Sequence, residues 1–288
     1  MAQTKRDIQA LLAEAGSHPR HRFGQNFMID GNLVRLVAES GNIQGGDLVI
    51  EVGPGTGTLT EELLARAGSV VAVEIDRDLA GMLRTRFADR PSFQLIEGDA
   101  LAGKHAIHPE LLAILRRAQD AGVSCKLVAN LPYNIASPLV IELLIAGVEL
   151  LSFTVQKEVA ERLRAVAGSE AYGPLSVMAQ MLANVELLRT LPPQAFWPAP
   201  SIDSALVRLT RADRLQTAAP AFGRFVHQLF SARRKTLRKA LANAKFDSER
   251  LLDQSGIDGQ LRPETLTPEN FWTLYTRAES TGAASDTP

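Results

Sequence analysis

The chain is expected to be α/β, with a doubly wound sheet over roughly residues 20–210 and a small all-helical domain after it. Three observations carry this reading. Apolar, β-branched runs recur at 48–52, 70–74, 93–96 and 126–129, and they alternate with helical stretches. The first run opens into three alternate glycines, Gly53, Gly55 and Gly57. Beyond Pro220 the β-type runs vanish and only helical periodicity remains.

Taken in order, residues 1–19 read as an N-terminal extension, with Ile8, Leu11 and Leu12 on one helical face among charges and no secretory apolar core. Residues 48–57, Leu-Val-Ile-Glu-Val-Gly-Pro-Gly-Thr-Gly, read as a strand that stops where backbone meets ligand. A helix beginning near Thr58 aims its free N–H groups at that ligand. A dinucleotide fingerprint needs glycine where Thr58 stands. Glu51, just before the loop, repels a pyrophosphate but suits an ammonium or sulfonium group. The expected cofactor is therefore the methyl donor S-adenosylmethionine.

Glu74 ends the second strand, placed to accept ribose hydroxyl protons. The third run leads into Glu97-Gly98-Asp99-Ala100, where Asp99 can accept from an adenine amino group. A helix follows from Pro109 and stops at Gly122. The fourth run enters Asn130-Leu131-Pro132-Tyr133, which suggests a substrate. The exocyclic amine of adenine is a poor nucleophile because its lone pair is delocalised into the ring. The Asn130 oxygen and a carbonyl of the proline-stiffened turn can accept its two N–H bonds while Tyr133 stacks on the ring. Further strands are expected near 150–155, 185–191 and 205–209, and Thr267-Pro268-Glu269 starts a final helix. Residues 279–288, rich in Ser, Ala and Thr, are expected to be disordered.

Each of these features has a plain reading alone. Strand ends in α/β proteins carry acids and glycines, an asparagine caps a turn, and a proline-rich stretch buries aromatics. Their occurrence in one series is what points to a single cleft.

Composition agrees without deciding. The 288 residues, 45% of them hydrophobic, suffice for a full α/β core and one small extra domain. The single cysteine, Cys125, excludes an internal disulfide and reads as a buried thiol in a cytoplasmic protein. Five histidines lack metal-ligand spacing, so no metal is expected, and apolar stretches such as 139–147 are too short for a membrane. Net charge is −1, yet 224–245 holds seven lysines and arginines and no acid. That run is either a solvated helix face or a phosphate-binding surface, on a helix that buries Leu237, Ala240 and Leu241. His18, Arg20, His21 and Arg22 form a smaller basic cluster.

Five stretches together resemble the KsgA-type ribosomal RNA adenine dimethyltransferases: Phe23-Gly24-Gln25-Asn26-Phe27, the glycine loop, Asn130-Leu131-Pro132-Tyr133, residues 196–205 and Arg233-Arg234-Lys235-Thr236-Leu237-Arg238. The likeness covers roughly residues 20–275. It implies a Rossmann-like S-adenosylmethionine-dependent methyltransferase domain over 20–210 and a helical rRNA-binding domain over 211–278. It further implies dimethylation at N6 of two adjacent adenosines near the 3′ end of small-subunit (16S) rRNA, during maturation of that subunit, by a chain expected to be monomeric.

By the same resemblance, Gln25 and Asn26 lie near the methionine moiety. Glu51, Gly53 and Gly55 belong to the cofactor loop, Glu74 holds the ribose, and Asp99 with Ala100 holds the cofactor adenine. Asn130, Leu131 and Tyr133 hold the target base, Phe196 closes its other face, and Arg233, Arg234, Lys235 and Arg238 meet RNA.

Two departures stand out: Asn134 replaces a second aromatic, and the 103–125 segment is longer than expected, its helix reading as an addition. The alternatives are the antibiotic-resistance type of large-subunit rRNA dimethyltransferase, and a ribosome-assembly factor whose binding matters more than its catalysis. The Arg233-to-Leu241 stretch and Arg262-Pro263-Glu264 favour the small-subunit type.

Overall fold

A computed structural model describes residues 3–20, 23–103, 106–212 and 214–280. His21, Arg22, His105 and the last eight residues of the expected tail lie outside them.

The elements run α1 (Lys5–Glu14), β1 (Phe27–Met28), α2 (Gly31–Ser40), β2 (Leu48–Val52), α3 (Thr58–Leu64), β3 (Ser69–Glu74), α4 (Arg77–Arg86) and β4 (Phe93–Glu97). After them come α5 (Pro109–Asp120), β5 (Cys125–Asn130), α6 (Ala136–Ile145), β6 (Leu150–Gln156), α7 (Lys157–Leu163), α8 (Pro174–Leu182), β7 (Ala183–Leu191), β8 (Phe196–Trp197) and β9 (Ser204–Arg211). The rest is helical: α9 (Ala219–Phe230), α10 (Leu237–Asn243), α11 (Ser248–Ser255) and α12 (Pro268–Ser280). The final helix thus takes in residues 279 and 280, which were expected to be disordered.

Local chemistry accounts for many of the boundaries. Asp30 and Asp76 cap α2 and α4 with their carboxylates, and Thr4 and Asp7 form a capping box on α1. Proline occupies the first turn of α5 and α8, where its missing N–H costs nothing. β2, β3 and β5 are buried almost throughout, as parallel strands covered on both faces must be.

The chain divides into two compact units, the first comprising residues 1–160 and 185–211. Its seven-stranded sheet has the order β4-β3-β2-β5-β6-β9-β7. Pairs β3/β4, β2/β3, β2/β5 and β5/β6 are parallel, and β9 runs antiparallel to β6. The strand order reverses between β2 and β5, which opens a crevice at their carboxyl ends. A second, two-stranded sheet pairs β1 with β8 in antiparallel register, Phe27 opposite Trp197 and Met28 opposite Phe196. Neither strand is visible in the sequence pattern.

The N-terminal extension forms the helix its apolar face suggests and is folded onto this unit: Ile8 and Leu12 pack with Phe27 and Leu79. The helix expected from Pro109 is α5, which buries Leu111, Ile114 and Leu115. One expectation needs correction: the helical unit consists of 161–184 together with the residues from 212 on, rather than one C-terminal stretch.

The core of this second unit is aromatic. Phe222 and Phe225 meet Tyr275 edge-on, with centroids 5.6 and 5.7 Å apart, and Phe230 stacks on Phe271 at 5.4 Å. Tyr172, fully buried, reaches in from the earlier segment and donates its hydroxyl to the Leu266 carbonyl at 2.7 Å. A helical segment whose partners lie about ninety residues away reads locally like any other helix of an α/β chain, so spacing alone could not assign α8.

Candidate active site

At the crevice, nine expected cofactor contacts line one cleft: Gln25, Asn26, Glu51, Gly53, Gly55, Glu74, Asp99, Ala100 and Asn130. They arrive from the tips of β2, β3, β4 and β5 and from the segment that leads into β1.

All three loop glycines have positive φ, which other residues reach only at a cost. The reason for two of them is packing. A Cβ on Gly55 would lie 2.8 Å from the Phe27 ring, and one on Gly57 would lie 2.8 Å from Phe87. Gly53 and Gly55 also line the cleft, where a ligand can approach their backbone.

Two buried carboxylates face the cleft. Glu51 accepts the Thr60 hydroxyl at 2.6 Å, and burial, opposed by that bond and reinforced by Glu74, pushes its pKa up to about 8. Glu74 accepts the N–H groups of Asp76 at 2.9 Å and Gly55 at 3.3 Å, and burial raises it to about 7. Asp99, in contrast, is exposed and accepts the Leu101 N–H at 3.0 Å. Thr58, which replaces the third fingerprint glycine, lines the cleft with a buried hydroxyl that has no partner among the described residues.

The raised pKa of Glu51 has a testable sign. From about pH 4.5 to about pH 8 an unfolded chain ionises this carboxyl while the folded one keeps its proton, so its contribution to stability falls as pH rises. Glu51→Gln should therefore melt close to the parent at about pH 4 and clearly above it at about pH 8, by roughly 5 °C for an effect of about 2 kcal/mol. Calorimetric scans decide it: a gap that does not widen with pH would rule out a neutral buried carboxyl.

The proposed base pocket is only partly assembled by the same residues. Asn130 is central: Nδ2 donates to the Asn26 carbonyl at 2.6 Å, and Oδ1 accepts the Thr154 hydroxyl. Pro132 and Asn134 line the cleft, with Gly24 passing over their turn. Tyr133 is half-buried outside the lining, its hydroxyl 2.7 Å from Ser204 Oγ and its pKa raised by burial.

Leu131 is buried, and so is Phe196, at 2% exposure, packed with Met28, Val34 and Leu206. Phe196 therefore offers no open face to a base, which corrects the clamp role expected of it. Successive side chains of a strand point to opposite sides, so only one of Phe196 and Trp197 can face outward. Trp197 takes the opposite side, half-buried against the α1 cluster and stacked on the cleft-lining Phe27 at 6.4 Å.

The expected RNA contacts lie in the helical unit. Leu237, Ala240 and Leu241 are fully buried, as anticipated. Arg233, Arg234 and Lys235, however, sit in the turn between α9 and α10 rather than on a helix. Arg233 is paired with Glu264 at 2.8 Å and Arg238 with Glu249, while Arg234 and Lys235 are exposed and form no ion pair among the described residues.

Other chemistry finds no support. The Cys125 thiol is buried and its pKa is pushed up to about 11 by that burial, so it is a poor nucleophile. Among the described residues there is no cluster of three or more metal-ligating side chains, and no helix is long and apolar enough to cross a membrane.

Comparison with known proteins gives the site its family. The family model for ribosomal RNA adenine dimethylase matches residues 16–280. The chain belongs to the ribosomal RNA adenine dimethylase family. It is 41% identical over 281 residues to the ribosomal RNA small subunit methyltransferase A of Magnetococcus marinus, covering 96% of this chain and 98% of that protein. The protein of the same name from Hahella chejuensis is 43% identical, with 89% and 91% covered.

Among solved structures, a dimethyladenosine transferase from Plasmodium falciparum shares the fold with a TM-score of 0.72 at 23% identity, covering 89% of this chain and 98% of that one. The 23S rRNA methyltransferase ErmE gives 0.63 at 27% identity, covering 88% and 100%. As a ribosomal RNA adenine dimethylase the chain is an enzyme that moves methyl groups to rRNA adenine. The crevice at the sheet's switch point is where open α/β folds bind ligands.

Proposed function

We propose that this dimethylase uses S-adenosylmethionine to place two methyl groups on N6 of each of two adjacent adenosines near the 3′ end of small-subunit rRNA, during maturation of that subunit in the cytoplasm. The observation that carries the proposal is the convergence of Glu51, Glu74 and Asn130 on one cleft.

The residues present fit a sulfonium nucleoside. Glu51 and Glu74 are buried acids that need a cation or hydroxyl donors, and the Thr58 hydroxyl is a buried polar group in need of a partner. Gln25, Asn26, Glu51, Gly53 and Gly55 would hold the amino-acid portion, Glu74 the ribose, and Asp99 with Ala100 the adenine. When bound, the donor supplies an electrophilic methyl on sulfur.

The chain itself localises the acceptor electrons. Asn130 Oδ1 keeps a second lone pair beyond the one used by Thr154, and with a carbonyl of the Leu131-Pro132 turn it would take both N–H bonds of an extruded adenine amine. Tyr133, tethered to Ser204, would border the ring. Positioning and electrostatic alignment then supply most of the rate, with no strong base required. Arg234 and Lys235 are the cations best placed to meet RNA phosphates.

The relatives named for the small subunit favour that substrate over the large one. Tritiated methyl transfer to unmethylated small and large ribosomal subunits tests this directly. Small subunits are expected to take up nearly all the label, and preferential labelling of large subunits would overturn the assignment.

A further inference from the structure

The wall of the cleft formed by Phe23–Met28 is fastened from behind by residues that do not line it. Asp76, fully buried at the head of α4, is the attachment point. Its carboxylate receives Arg20 Nη1 at 3.0 Å, Gln25 Nε2 at 3.1 Å and the Asp78 N–H at 3.1 Å. Arg20 also holds Asp78 at 2.5 Å, and its own N–H donates to Gln25 Oε1 at 2.8 Å. On the far side, the Asp76 N–H donates to Glu74 Oε1 at 2.9 Å. Asp76 thus ties Gln25 and Arg20 through its carboxylate and Glu74 through its backbone N–H; Gln25 and Glu74 line the cleft, and Arg20 does not.

By sequence Arg20 belongs with a basic cluster, but in the structure its charge is committed to two acids. Removing it would leave Asp76 buried without a countercharge, a costly state that the segment can relieve by letting water in and swinging away. Gln25 would then lose its bond to Asp76 and keep only the local one from the residue 20 N–H.

We propose that Arg20 and Asp76 are a positioning pair that holds the Phe23–Met28 wall against Glu74, so that retention of the methyl donor depends on a salt bridge outside the cleft. This rests on the reading of that cleft as the donor site. Neither residue touches the reacting atoms, so the effect falls on donor affinity and not on the transfer step.

The test combines calorimetric titration with S-adenosylhomocysteine and methyl-transfer kinetics on unmethylated small subunits. Arg20→Met is expected to raise the donor KM and the S-adenosylhomocysteine Kd about tenfold while leaving kcat within about twofold. Arg20→Lys, which keeps the charge but not the two-pronged contact, should show the same split in smaller measure, and it keeps the proposal testable if Arg20→Met does not fold. Glu74→Ala serves as the control for the cleft itself and should weaken S-adenosylhomocysteine binding roughly 5- to 150-fold. Parent-like binding by both Arg20 variants beside a weakened Glu74→Ala, or a fall in kcat at unchanged KM, would overturn the pair's role. Parent-like binding by Glu74→Ala would instead sink the donor-site reading.

Discussion

Asn130→Ala should lower methyl transfer about a thousandfold, the scale seen when an aligned acceptor or donor is removed from a reacting centre. The cost to donor binding should be far smaller, within about tenfold, because the side chain's link to the donor wall is one hydrogen bond to the Asn26 carbonyl. Thr154 gives an independent handle, since its hydroxyl donates to Asn130 Oδ1 and so fixes which way the amide faces. Thr154→Val should therefore lose turnover in the same sense but less of it. Single-turnover rates with saturating donor, set beside S-adenosylhomocysteine titrations, separate the two effects. An Asn130→Ala enzyme that turns over normally would remove the amide from the chemistry.

Reversing charge at Arg234 and Lys235 together should weaken binding to small subunits about a hundredfold at low salt and flatten its dependence on salt, by a slope change of roughly 0.7–0.9 for each phosphate that is no longer neutralised. These two are the informative positions. Arg233 and Arg238 are held by Glu264 and Glu249, so their replacement would also break an ion pair within the helical unit. Donor affinity should stay at the parent value, because the turn belongs to a different unit from the cleft residues. Filter binding across about 50–200 mM salt provides the measurement. An unchanged slope would make the turn a solvated loop.

Much of the site could be read from the chain because cofactor chemistry at a wound sheet is local. Each of Glu51, Glu74, Asp99 and Asn130 ends or follows a strand whose apolar run is visible by itself, and strand tips of a parallel sheet converge whatever the rest does. What escaped was set by long-range partners. The β1/β8 pair is two residues on each side, too short for a periodicity, and its parity alone decides that Phe196 goes into the main core and Trp197 toward α1. The turn at Arg233–Lys235 interrupts what looks in sequence like a continuous amphipathic pattern. Arg20 carries no sign that Asp76 and Asp78, more than fifty positions on, will claim its charge.

The divided make-up of the helical unit has a consequence for how that unit can be cut or exchanged. The chain passes from the sheet unit to the helical one near 161, returns near 185 and leaves again near 212. A truncation after Arg211 would not release a self-sufficient catalytic half, since it strands residues 161–184 without the Leu266 carbonyl that satisfies Tyr172 and the Glu264 carbonyl that satisfies the Gly168 N–H. The truncation would also strip away Phe230, against which the buried Tyr172 ring packs, and leave an apolar face prone to clumping. Any exchange of the helical unit must therefore carry both pieces, residues 161–184 and the tail, as a single block.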